Sequence, residues 1–128
     1  MTRNVDDRLN DILVAIAHAR VADDRMRLSE SQGDMAGVQI AFDSILHNLF
    51  VIGEAVKSLP PTLLDSDPET PWNEIAAMRD VIGHHYHRVV PAIIHRTVQG
   101  DLGPLEAAVN RLLAFRQLDV HCRRRLTC

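Results

Sequence analysis

Aromatic residues are scarce in this chain: three Phe, one Trp and one Tyr make up 4% of 128 residues. The apolar content is mostly Leu, Ile, Val and Ala, a mix that suits helices packed on helices. Cysteine is equally sparse. Cys122 and Cys128 sit at a spacing that matches no common metal or redox motif, so free thiols are expected. Long apolar runs are lacking, and the uncharged stretches are interrupted too soon for the roughly 20 residues that a bilayer span needs. The first residues, Met-Thr-Arg-Asn-Val-Asp-Asp, have neither the positive region nor the apolar core of a signal peptide, so a cytoplasmic protein is expected. A formal net charge of −3 argues against a broad, non-specific grip on nucleic acid. No segment alternates as a strand does, no repeat is visible, and nothing is low-complexity.

What is present fits one ordinary globular domain. A length of 128 residues allows a self-sufficient core, and 46% hydrophobic with 24% charged residues is typical of such domains. Charge is unevenly placed. Val81 to Gly100 contains no Asp or Glu but holds Arg88, Arg96, His84, His85, His87 and His95, and Arg123–Arg125 form a basic end. We divide the chain into a helical domain, residues 1–118, and a basic C-terminal tail, residues 119–128, expected to be a loose solvated end.

Periodicity predicts the helices. Val5, Leu9, Ile12, Leu13 and Ile16 mark one face of a first helix from about Val5 to His18, extendable through the polar residues 20–34, with Asp34 a candidate N-cap for the next. Val38, Phe42, Ile45, Leu49, Ile52 and Val56 define a second helix whose wide apolar arc suggests burial on two sides. Within it Gly53 would let another backbone approach closely. Leu59-Pro60-Pro61 stops that helix, and Thr70-Pro71 reads as the start of a third, with Thr as N-cap. Pro91 and Gly100 bound a short helix, and Gly103-Pro104 opens a last one that uses Leu105, Val109, Leu112 and Phe115. The expected architecture is all-α, an antiparallel bundle of four to five helices.

The chemistry concentrates in Arg79-Asp-Val-Ile-Gly-His-His-Tyr86. Trp72, Ile75, Arg79, Ile82, Tyr86 and Val89 form the apolar stripe of the third helix, so Arg79 places a permanent charge where apolar residues belong. That is costly unless the guanidinium is paired, wet or facing a partner. At about 100° per residue Arg79 and Tyr86 point the same way. Asp80 and His84, four apart, are neighbours on another face, where Asp80 could orient the imidazole. Arg79 and His84 diverge by about 140°, so they meet one substrate only if the helix distorts near Gly83 or two copies face each other across a two-fold axis. An arginine and a histidine without an obvious metal set suit cleavage of RNA. The 2′-hydroxyl is the nucleophile, histidine serves as base or acid, and arginine stabilises the phosphorane charge.

These residues resemble the signature of HepT-type toxins of the HEPN superfamily: Arg, four to six residues, His, and a Tyr two beyond, met here by Arg79, His84 and Tyr86. Leu49-Phe50-Val51-Ile52-Gly53-Glu54-Ala55, Pro71-Trp72 and Met78-Arg79 are similar to the family's flanking segments, and the likeness covers roughly residues 8–115. It implies a HEPN-type bundle and a homodimeric, metal-independent endoribonuclease without cofactor, acting on tRNA or mRNA at a site built by two protomers. It also implies a minimal nucleotidyltransferase antitoxin that transfers AMP to Tyr86, in a larger hetero-oligomer if the two stay together. His85 and His87 beside the motif, and His47 on the second helix, depart from the family pattern. Arg79 could also be a structural ion pair with Glu54, His84 a core histidine and Tyr86 a core or interface aromatic. Asp80, Glu54, Gly83 and His85 are taken as supporting residues. Two other functions compete: a non-catalytic helical scaffold or substrate of a nucleotidyltransferase, and a metal-binding bundle using His84, His87 and Glu54.

Overall fold

The computed structural model describes residues 3–85 and 91–125. It is all-α, with helices α1 Val5–Ser31, α2 Met35–Lys57, α3 Pro61–Leu64, α4 Trp72–His85, α5 Pro91–Gly100 and α6 Leu102–Arg125. Among the described residues there is no strand. α1 and α2 form the central hairpin. α4 packs on the far side of α2, while α5 and α6 cover α1.

α1 begins with a reciprocal cap. Asp7 N–H donates to Asn4 Oδ1 at 2.8 Å, and the Asp7 carboxylate accepts from Asn4 N–H in return. The helix extends well past His18, because Ala19, Ala22, Asp23 and Met26 continue its buried stripe. Gly33, at φ 68°, supplies the left-handed residue that turns the chain. Asp34 then caps α2 by accepting from Gly37 N–H at 3.0 Å. α2 is buried on two sides, as its wide arc predicts. By length and composition it would also reach across a bilayer, which corrects the expectation that no stretch could. Its apolar residues from Val38 to Val56 are instead covered by α1 and α4.

Three local expectations are corrected. α4 starts at Trp72 and Thr70 does not cap it. The Thr70 hydroxyl donates to Asp67 Oδ2 at 2.6 Å, and Trp72 Nε1 donates to the Asp67 carbonyl at 3.0 Å. The first backbone bond of the helix runs from Ile75 N–H to the Pro71 carbonyl at 3.1 Å, one residue past Thr70. Phe115 is 54% exposed, whereas Leu105, Val109 and Leu112 are core, because α6 outruns the bundle that covers its first half. Cys122 is disulfide-bonded and not a free thiol; a spacing unsuited to metal does not prevent oxidation. The described part of the basic end, residues 119–125, is a continuation of α6.

Candidate active site

α4 meets α2 through its backbone. A Cβ added at Gly53 would lie 2.9 Å from Arg79 N, 3.1 Å from Arg79 Cβ and 3.3 Å from Ala76 O. Only the absence of a side chain at Gly53 lets the helices approach this closely. The contact centres on the motif arginine.

Arg79 is half-buried, and α2 holds it twice. Its Nε pairs with Glu54 Oε1, and its Cζ lies 6.0 Å from the centre of the Phe50 ring, within cation–π range. Glu54 Oε1 is shut off from solvent and accepts no well-aligned hydrogen bond, so the charge of Arg79 is what offsets its burial. Glu54 and Phe50 are four residues apart on α2 and present one anion and one ring face to the same guanidinium. The side chain of Arg79 retains 34% of its accessibility. It is anchored at one side and open at the other.

His84 and Asp80 are both exposed on α4, and among the described residues no hydrogen bond joins them. The expected Asp80–His84 contact is absent because both side chains face water, which competes for each. α4 runs through Gly83 as continuous helix, and a Cβ there would meet nothing within 4 Å. There is thus no distortion at Gly83 to swing His84 toward Arg79, and within one chain the two diverge. His85 closes α4, and its side chain and Tyr86 lie outside the described residues. His47 is exposed on α2. Among the described residues no three His, Cys, Asp or Glu side chains gather as a metal set.

A second polar cluster escapes the sequence reading. Asp23 is wholly buried on α1, with both carboxylate oxygens 2.9 Å from His95 Nδ1 and Oδ2 accepting from Gln99 Nε2 at 3.0 Å. The two partners stand one turn apart on α5 and close on one carboxylate. A signal was available: Leu9, Ile12, Ile16, Ala19, Asp23 and Met26 keep the three-four step, so Asp23 is a charge in an apolar stripe just as Arg79 is. His95 therefore ties helices together and is only partly available to the basic stretch 81–100.

Known proteins resemble this chain. The family model described as ribonuclease HepT-like matches residues 17–112. A protein of Caldanaerobacter subterraneus subsp. tengcongensis named "Putative RNase" is 39% identical over 70 residues, 55% of this chain and 62% of its own length. The "Probable ribonuclease HepT" of Thermococcus cleftensis is 35% identical over 69 residues, 54% of this chain and 63% of its own. A two-part protein of Methanocaldococcus jannaschii, named "Gamma-glutamylcyclotransferase and putative RNase", is 25% identical over 113 residues, 88% of this chain and 49% of its own. The chain thus matches less than two thirds of the length of each of these relatives. No solved structure matches it significantly. With three quarters of its length inside that family model, the chain belongs to the HepT-like ribonuclease family.

Proposed function

We propose that the chain is a metal-independent endoribonuclease, the toxin of a toxin–antitoxin pair, whose site is completed by two copies of α4. One observation carries this. Arg79 is fixed by Glu54 and Phe50 with one side open, while His84 stands exposed on an unbroken helix and points away from it. A fixed guanidinium suits phosphate binding, and an exposed imidazole suits proton transfer. Their divergence is resolved when a two-fold axis brings the Arg79 of one protomer to the His84 of its partner.

In this mechanism His84 takes the proton of the 2′-hydroxyl, and that oxygen attacks the adjacent phosphorus. Arg79 stabilises the charge that develops on the non-bridging oxygens. The bond to the 5′-oxygen breaks, a protonated imidazole returns a proton to it, and a 2′,3′-cyclic phosphate remains. RNA supplies its own nucleophile, so the protein need only position and transfer protons. The substrate class is cytoplasmic tRNA or mRNA. Neutralisation is by a minimal nucleotidyltransferase that adds AMP to Tyr86; the added phosphates would repel RNA beside the catalytic pair.

The test is incubation of purified protein with total RNA in EDTA, followed by mapping of the new ends. Cyclic phosphate ends are expected, with Arg79→Ala and His84→Ala each abolishing cleavage while the protein stays folded and dimeric. Undiminished cleavage by both variants would remove these residues from the mechanism. The Arg79–Glu54 pair favours one other reading, in which Arg79 is structural and the chain is the scaffold or substrate of the nucleotidyltransferase. That reading requires intact RNA with wild-type protein and undiminished AMP transfer to Tyr86.

A further inference from the structure

Cleavage of RNA by its own 2′-hydroxyl needs two proton transfers on opposite sides of the phosphorus. The attacking and leaving oxygens stand roughly in line, so one imidazole cannot serve both at the same moment. His84 supplies one transfer in the proposed reaction. Three of the other described histidines are engaged or remote. His95 is held by Asp23, His18 lines a groove between α1 and α2, and His121 stands on the overhanging end of α6. His47 differs from these, because it shares a helix with both residues that hold Arg79.

α4 runs antiparallel to α2. Its first turns, with Trp72, Asn73 and Ala76, share a cleft with Val56 and Lys57 at the end of α2. One turn on, Arg79 meets Gly53, Glu54 and Phe50. The C-terminal end of α4 therefore lies toward residues 46–49, the stretch of α2 that carries His47.

His47 and Glu54 are seven residues apart, so they project within about 20° of each other and about 10 Å apart along the axis. Phe50 stands between them, one turn from each, and Cβ atoms so spaced are about 5–6 Å apart. The Arg79 guanidinium lies over the ring of Phe50. One turn further along α2 is an imidazole. His47 is exposed, and among the described residues it is in no hydrogen bond or ion pair, so its ring can turn toward the open side of Arg79.

We propose that His47 is the general acid of this site, acting on the phosphate that Arg79 of the same chain binds. The role rests on the ribonuclease reading above. The partner's His84 takes the 2′-hydroxyl proton as the bond from the 2′-oxygen to phosphorus forms. The bond from phosphorus to the 5′-oxygen breaks with its electron pair left on that oxygen, which receives a proton from the His47 imidazolium. His47 ends neutral and His84 protonated, and exchange with water restores both. Both imidazoles are exposed, which permits that exchange. Clamp and acid then come from one chain and the base from the other.

The test compares two substrates spanning a bond mapped in the total-RNA digest: ordinary RNA, and the same oligonucleotide with sulfur in place of the scissile 5′-oxygen. A thiolate leaves without a proton, so a missing acid no longer limits the rate, whereas a missing base still does. His47→Ala in the full chain is expected to cleave ordinary RNA at least about 100-fold more slowly and to come within about tenfold of wild type on the sulfur substrate. His84→Ala and Arg79→Ala should stay slow on both. The thermal midpoint of His47→Ala should be unchanged, since His47 is exposed. Wild-type rates for His47→Ala on ordinary RNA, or equal losses on the two substrates, would overturn this role and leave the ribonuclease reading in place. RNA left intact by the wild type would overturn both.

Discussion

Gly53 and Arg79 are in backbone contact: a Cβ on the glycine would stand 2.9 Å from the arginine's amide nitrogen. The residue that anchors the motif helix is thus one with no side chain. Gly53→Ala sets two effects against each other. Alanine gains about 1 kcal/mol of helix propensity, but overpacking against a backbone atom that cannot rotate away costs about 1–3 kcal/mol. We expect net destabilisation, with α4 pushed off α2. Gly83→Ala has open space and should instead stabilise by up to about 1 kcal/mol. Urea unfolding of the two variants, with amide exchange across residues 72–85, checks the contrast. Equal effects from the two alanines would contradict the close approach.

Glu54 and Arg79 separate stability from activity. The pair is partly exposed, at 42% and 34% of side-chain accessibility, so its contribution to folding is about 1 kcal/mol or less. In the proposed mechanism its effect on cleavage should be larger, because a phosphate clamp displaced by about 1 Å forfeits up to about 100-fold in rate. Glu54→Gln is therefore expected to leave the thermal midpoint nearly unchanged and to lower RNA cleavage at least tenfold. A fall in stability without a change in rate would assign Glu54 to scaffolding alone.

Those two contacts also show what the sequence makes legible. Gly53 in an apolar arc, Arg79 in an apolar stripe and Glu54 as its counter-charge are all local anomalies of a regular pattern, so the α2–α4 contact could be read directly. The Asp23 cluster carries the same kind of anomaly but is harder to see. Residues 20–31 are polar enough to look like the end of a helix, and the partners His95 and Gln99 lie over seventy residues downstream. Thr70 misled for a complementary reason. A Thr-Pro pair is a good helix start, yet here the first helical bond runs from Ile75 N–H to the Pro71 carbonyl, and the Thr70 hydroxyl is turned to Asp67. Phe115 continues the core spacing of α6, but spacing does not say where the neighbouring helices end.

Asp67 predicts a pH dependence with a definite sign. The Thr70 hydroxyl lowers its carboxyl below the usual aspartate range, burial opposes this, and Arg111 adds to the lowering by hydrogen bond and charge. A carboxyl held low in the folded state stabilises fully above its unfolded value, about 4. That stability is lost as pH falls from there through the lower folded value. Thr70→Val should therefore reduce stability at pH 6 and flatten its decline between about pH 4 and pH 2. Arg111→Ala should act in the same direction and less strongly. Chemical denaturation at a series of pH values measures both. A Thr70→Val profile parallel to wild type would contradict the hydroxyl's leading role.

The buried Asp23 predicts strong non-additivity. Its carboxylate has no access to solvent and relies on His95 and Gln99 across the α1–α5 interface. His95→Leu leaves that carboxylate with only Gln99 and should cost about 3 kcal/mol or more, as removal of one partner of a buried pair commonly does. Asp23→Leu with His95→Leu removes the carboxylate as well as its partner. The double variant should recover most of the loss, because two apolar side chains of similar volume suit the interface without stranding a charge. A double-mutant cycle by urea unfolding gives the coupling. Additive losses would mean that the close approach of His95 to Asp23 contributes packing alone.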